Sequence, residues 1–345
     1  MTSVERITLA LQGRQTDRVP VIPEIIQHSL DIAGITHRTY STDPEALARA
    51  QIAAQKKYGY DAVYVSSDNY ILAEALGAAI TLPDDEPPQM RGHLLENLEE
   101  GTDDVDLPAF DVHNGRIPVI LEATRLCREY YGDNDIYVKT CIDSAPFSLA
   151  ACLCGPEVWL MALMDEEDYV PALLEKCVDI DVTMGIAAAE AGAHAIAYGD
   201  SAAGLISRQM YEEFALPYAQ EATCRIREAT GLPVFYHICG NANHIIDLMA
   251  ETGADCLELD SMVDLKDAQK AVSGRCALQG NVSTIEAFLN GTPSDVRREA
   301  DALLNWFQND GGFILSSACE IPRYSPQENV NELTLAAKQF PYRRS

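Results

Sequence analysis

Eight short apolar runs of strand length recur along the chain with helix-like spacing between them, and this alternation limits the fold more than any other feature. The runs are 19–25, 61–66, 136–142, 194–198, 233–237, 255–259, 275–279 and 312–316. Helical periodicity covers 4–13, a stretch opened by Asp43-Pro44, 119–131, 145–192, 211–230, a stretch closed at Gly253, and 329–338. Breaks are expected at Gly155-Pro156 and near 165–168. Strands that alternate with helices, without a repeat of 20–50 residues, predict an α/β protein with a (β/α)8 TIM barrel. A single domain over 1–345 accommodates it, with one interruption. Residues 81–116, after the second strand, are proline-rich and acidic (Pro83, Asp84, Asp85, Glu86, Pro87, Pro88, then Glu99, Glu100, Asp103, Asp104). They read as an acidic insertion lying over the barrel.

Polar side chains fall at the carboxyl ends of these runs: Glu24, Asp68, Asp143, Asp200, His237, Cys239, Asp260, Asn281 and Cys319. In a closed barrel these ends meet at one mouth, where barrel enzymes keep their active sites. His237 and Cys239 are two residues apart at the end of an extended run, so both point to the same side. Imidazole nitrogen and thiolate sulfur are donors that zinc favours, and three such donors leave one tetrahedral position open. Cys319, 80 residues beyond Cys239 and just past the last run, is the expected third ligand. The competing reading is a buried strand with one satisfied histidine and one inert cysteine.

Charge and composition exclude several classes. A net charge of −28 argues against a nucleic-acid partner, because phosphate backbones are bound by lysine and arginine. No run of 18 apolar residues suggests a membrane span, and the N-terminus has no basic region followed by an apolar one. Ten cysteines without a secretion signal read as reduced thiols, hence a cytoplasmic location. A monomer or homodimer is expected.

Several segments carry a family resemblance: Leu11-Gln12-Gly13-Arg14-Gln15-Thr16-Asp17-Arg18-Val19-Pro20, Ser67-Asp68 followed by Glu74-Ala75-Leu76-Gly77, Phe214-Ala215-Leu216-Pro217-Tyr218, His237-Ile238-Cys239-Gly240, Gln279-Gly280-Asn281, and 312–322. Together they resemble the uroporphyrinogen decarboxylase superfamily over nearly the whole chain. Within it they are similar to the zinc-dependent methylcobamide:thiol methyltransferases, the coenzyme M type. The resemblance implies zinc (Zn2+) on His237, Cys239 and Cys319. It also implies methyl transfer between methylcobalamin, or a corrinoid carried on a partner protein, and a small acceptor, with a thiol expected. No Asp-x-His-x-x-Gly corrinoid motif occurs in the chain, so the corrinoid is expected from outside.

Asp68 matches the catalytic aspartate of the decarboxylases, which keeps a zinc-free lyase acting through Asp68 as the alternative. Against that alternative, the arginine-rich loop that grips propionates in those enzymes corresponds here to Pro23-Glu24-Ile25-Ile26-Gln27-His28, without arginine. An acidic mouth would repel a polycarboxylate. Asp260 is a candidate fourth ligand, or a group that orients His237. Asp68, Asp143 and Asp200 are candidates to bind polar parts of the acceptor or to cap helices. Cys152 and Cys154 are rejected as a metal site because they point apart on a helix, and His244 is expected to face solvent.

Overall fold

The computed structural model describes residues 1–96, 98, 105–133, 135–308 and 310–342. Nine strands occur among them: β1 (Ala62–Val65), β2 (Ile80–Thr81), β3 (Gln89–Met90), β4 (Tyr137–Ser144), β5 (Ala195–Gly199), β6 (Val234–Ile238), β7 (Cys256–Leu259), β8 (Ala277–Val282) and β9 (Phe313–Ser317). Seven of them form one parallel sheet in the order β1-β4-β5-β6-β7-β8-β9. Each carries helical crossover segments outside, so both faces are covered and the strands read as continuous apolar runs rather than alternating ones.

The first expected strand, 19–25, is not a regular strand. Only Val21 makes a bridge, parallel to Leu315 of β9. Pro20 and Pro23 have no N–H to donate, which restricts the ladder to the residues between them. Those residues nevertheless bond to both edges of the sheet. Ile22 N–H donates to Leu315 O (3.0 Å), Leu315 N–H to Pro20 O (2.9 Å), and Asp61 N–H, just before β1, to Val21 O (2.8 Å).

The curl of the sheet is visible in its interior. Lys139 of β4 and Glu258 of β7, three positions apart in strand order, form an ion pair with side-chain exposures of 0% and 2%. The Lys139 ammonium also lies over the rings of Tyr64 (4.2 Å) and Phe235 (5.0 Å). Gln279 donates to Glu258 Oε1 (2.6 Å), and Ser316 Oγ to Ile22 O (2.6 Å), so a polar layer spans the inside. Removing one partner of such a buried pair costs roughly 3–5 kcal/mol, because the other charge is then buried alone.

Helix boundaries follow their local signals. Asp43 Oδ1 accepts from the N–H groups of Glu45 (2.9 Å) and Ala46 (3.1 Å), ahead of Pro44 at the first position of the helix Pro44–Tyr58. The long helical region divides into Pro146–Cys154, Pro156–Met164 and Tyr169–Glu190, breaking where expected. No single helix among the described residues is long and apolar enough to cross a membrane.

Of the expected acidic insertion over 81–116, Asn97 and 99–104 lie outside the described residues. Its first section is the antiparallel pair β2–β3, with the acidic 82–88 as its turn. Past it, His93 Nδ1 contacts Cys152 O (2.8 Å) and Leu95 N–H donates to Leu153 O (2.8 Å), which fastens this section to the helix after β4.

Candidate metal centre

β6 delivers His237 and, one residue beyond its end, Cys239 on the same side of the extended chain. β9 ends two residues before Cys319. The strand ends converge, and the ligand atoms of His237, Cys239 and Cys319 all lie within 4.8 Å of one another. His237 Nε2 is 2.9 Å from Cys239 Sγ, and the two sulfurs are 3.7 Å apart. Bonds of about 2.0–2.1 Å to nitrogen and 2.3 Å to sulfur at a tetrahedral ion put two sulfurs about 3.8 Å apart and a nitrogen about 3.6 Å from a sulfur. The sulfur pair already has that spacing, and the imidazole must withdraw by a fraction of an ångström.

The surroundings prepare these donors. His237 Nδ1 faces the Glu258 carbonyl (3.0 Å), the contact that fixes Nδ1 as the donor and leaves Nε2 free to ligate. The Cys319 thiol donates to Cys239 and, with His237, pulls the Cys239 thiol far below its usual range. Cys319 is pushed up in turn by Cys239 and by burial. Burial alone would lower His237, but the Cys239 sulfur and Glu24 outweigh it and raise the imidazole. Ser201 Oγ, after β5, adds a donor to Cys239 Sγ at 3.4 Å.

The four strand-end aspartates separate by environment. Asp68 is held in a two-pronged ion pair with Arg116, which also binds Glu74, and Ser67 Oγ donates to it at 2.7 Å. Asp200 is fully buried and accepts from Ser148 N–H (3.0 Å), Ser148 Oγ (2.7 Å) and Tyr236 OH (2.7 Å); burial pushes it up to about 6. Asp143 Oδ2 accepts from Leu72 N–H (3.0 Å) and Oδ1 from Ser144 Oγ (3.1 Å). Asp260 stands outside the cluster and accepts from Ser261 Oγ (3.2 Å) and Met262 N–H (3.0 Å), while Glu258 O holds the His237 ring. His244 is exposed, and Cys152 and Cys154 join no metal-binding group among the described residues.

Three participants are not marked by the sequence pattern. Arg116 lies in the insertion, and nothing in its neighbours identifies it as the partner of Asp68. Ser201 follows Asp200 at a strand end, which is its one available signal. The Glu258 carbonyl is a backbone group, and its contact depends on the register His237↔Glu258.

A cavity of about 440 Å³ opens beside the cluster, with Asp143, Ser144, Ser148, Gly199 and Ser201 in its wall. Ser201 belongs to both cavity and cluster. Gly204 lies against the ligand strand, where an added Cβ would come within 2.9 Å of Ile238 Cγ2 and 3.0 Å of Cys239 O. Gly204→Ala is therefore expected to shift Cys239 and weaken metal binding by roughly tenfold, the scale of disturbing a ligand's support. Titration with a chromophoric chelator reads this directly, and unchanged affinity would show that the contact is slack.

The model of the uroporphyrinogen decarboxylase (URO-D) family matches residues 2–340. The chain belongs to this family. Among its relatives, the methylcobamide:CoM methyltransferase MtbA of Methanosarcina acetivorans is 30% identical, with 99% of each chain covered. A solved methyltransferase from Methanosarcina mazei superposes with a TM-score of 0.88 at 27% identity over 99% of both chains. A B12-independent methionine synthase from Shewanella sp. W3-18-1, at 12% identity and a TM-score of 0.58 over 95% of this chain and 97% of its own, shares the fold. In this member of the family the stretch after the closing bridge, 23–28, offers no cation. Glu24 is buried and pushed up to about 7, chiefly by that burial, and His28 contacts Tyr58 OH (2.8 Å) and Arg323 O (2.9 Å).

Proposed function

We propose that the chain is a corrinoid-dependent methyltransferase that moves a methyl group between a methylated corrinoid, presented by a separate protein, and a small thiol. In this reading one barrel domain, completed by residues 20–22, holds zinc on His237, Cys239 and Cys319. The single observation that carries it is the convergence of one imidazole and two sulfurs within 4.8 Å at the strand ends, beside a cavity of small-molecule size. Zinc on these three residues would supply the positive charge that favours ionisation of a thiol acceptor, where a free thiol near pKa 8.5 would be only a few per cent ionised at neutral pH.

The protein's own groups do the rest. Glu258 O orients the His237 ring, and Ser201 donates to Cys239 and so moderates the charge on that sulfur. Asp200, through Tyr236 and Ser148, ties the ligand strand β6 to the cavity wall as a positioning residue. Transfer to the thiol forms a sulfur–carbon bond and breaks the carbon–cobalt bond, with the electron pair left on cobalt and the thiol proton released to solvent. Both oxygens of Asp68 are engaged by Arg116, which leaves none free for lyase chemistry on this reading. Asp260 is left to shape the turn after β7. Ten free cysteines fit a reducing, cytoplasmic setting.

The test follows the cobalamin spectrum during incubation with zinc and coenzyme M, homocysteine or tetrahydrofolate. Methylcobalamin should lose its methyl group only when zinc and a thiol are both present. An enzyme that works in the opposite direction should form methylcobalamin from reduced cobalamin and a methylated thiol. Demethylation with tetrahydrofolate alone would refute the thiol assignment, and no reaction in either direction would refute the methyltransferase.

A further inference from the structure

The cavity beside the metal centre constrains the chemistry of the acceptor's tail. Its wall contains Asp143, several hydroxyls and His93, whose Nδ1 faces Cys152 O (2.8 Å), and neither lysine nor arginine among the described residues. Arg91, next to the wall residue Met90, lines a different cleft together with Arg38. Arg116 is committed to Asp68 and Glu74.

Asp143 differs from its neighbours. Asp68 has an arginine and Asp200 a three-donor shell, whereas Asp143, among the described residues, forms no ion pair and accepts only from Leu72 N–H and Ser144 Oγ. A carboxylate offers about four lone-pair positions, so roughly half of its capacity is left over. The residue is 5% exposed, lines the cavity, and sits at φ 89°, a left-handed backbone conformation that a non-glycine residue adopts only when its surroundings hold it there. Burial pushes its carboxyl up to about 7, with the Asp68 charge adding to the effect, and a cation arriving in the cavity would reverse that.

We propose that Asp143 is the specificity residue of this cavity, binding the cationic or hydrogen-bond-donating tail of the thiol acceptor, and that the cavity discriminates against an anionic tail such as a sulfonate. The inference rests on the reading of a thiol-accepting metal centre and specifies the class of thiol. An ammonium tail would complete the shell of Asp143, whereas a sulfonate would meet its carboxyl group with no lysine or arginine among the described wall residues to offset it.

Three thiols of equal length separate the possibilities: 2-aminoethanethiol, 2-mercaptoethanol and 2-mercaptoethanesulfonate. Calorimetric titration of the full chain carrying one equivalent of zinc should rank the ammonium first and the sulfonate last, with Kd values at least about tenfold apart, the scale of exchanging an attractive for a repulsive charge contact. Asp143→Asn should compress the ratio of the ammonium to the sulfonate to within about twofold. The wild-type ranking needs no variant, so a poorly folding Asp143→Asn leaves the test decisive. Equal or tighter binding of the sulfonate by the wild type, or an unchanged ratio in a folded variant, would overturn the assignment. Calorimetry needs no methyl transfer. A chain that ranks the thiols as expected and never demethylates methylcobalamin keeps this assignment and loses the methyltransferase; one that uses both charged tails equally keeps the methyltransferase and loses the assignment.

Discussion

Cys239→Ala is expected to bind zinc more than about a hundredfold more weakly than the wild type, since disturbing an outer-shell partner alone costs roughly 10–100-fold. Cys239 occupies the middle of the donor set, 2.9 Å from the imidazole nitrogen and 3.7 Å from the other sulfur, so its loss removes the atom that links the two remaining donors. Methyl transfer should fall with the metal. Zinc affinity should also weaken as pH falls, because protons compete for both sulfurs and for the ring nitrogen, and binding near neutrality should release protons in proportion. Metal analysis after gel filtration, with calorimetry in two buffers of different ionisation heat, measures both effects. Full zinc occupancy in a His237→Ala, Cys239→Ala, Cys319→Ala variant would end the assignment. Because Cys239 sits beyond the end of β6 and is only half-buried, its loss should leave the fold intact, which separates a lost ligand from a lost structure.

The largest expected effect on stability lies at the opposite end of the strands. Asp61 is 1% exposed and gathers five donors: Ser3 Oγ (2.7 Å), Arg6 Nη1 (2.8 Å), both terminal nitrogens of Arg18 (2.7 and 2.8 Å), and Val21 N–H (2.8 Å). Its backbone N–H meanwhile donates to Val21 O. One residue thus ties together the first helix, the Arg18 turn and the short segment that bonds to both sheet edges. Asp61→Ala would leave Arg18 without its buried counter-charge and the Val21 N–H without a partner, while Arg6 keeps Asp17, a loss of roughly 3–5 kcal/mol. For a chain of this size that corresponds to a fall in Tm on the order of 5 °C. Asp61→Asn should be milder, since it keeps an acceptor oxygen while losing the charge. Calorimetric scanning of the three proteins measures the difference. A loss below about 1 kcal/mol in Asp61→Ala would show that residues 20–22 are held by β9 alone.

Part of this architecture is legible in the linear chain. Seven apolar runs form the seven strands of the large sheet because a strand covered on both faces must be apolar throughout, and that pattern survives in one dimension. Asp43-Pro44 and Gly155-Pro156 mark helix ends through chemistry confined to neighbouring residues, so they too are readable. The His-x-Cys at the end of one run, with a lone cysteine at the end of the last, predicts the cluster because parallel strands bring their carboxyl ends to the same side.

What is not legible depends on contacts across the sheet. The composition of 19–25 suits a strand, but two prolines limit it to a bridge, and its hold on the sheet comes from Asp61 and Leu315, distant in the chain. Arg116 is an ordinary arginine until the fold places it on Asp68. The sequence by itself determined which atoms could ligate a metal and which end of the strands they would occupy, because donor chemistry and strand polarity are local properties. Only the tertiary structure decided that Asp68 pairs with Arg116, that Asp200 braces Tyr236, that Asp260 stands apart and that Asp143 lines the cavity with no ion pair among the described residues. The character of each carboxylate is set by its neighbours within about 3 Å, and the chain must fold before it has those neighbours.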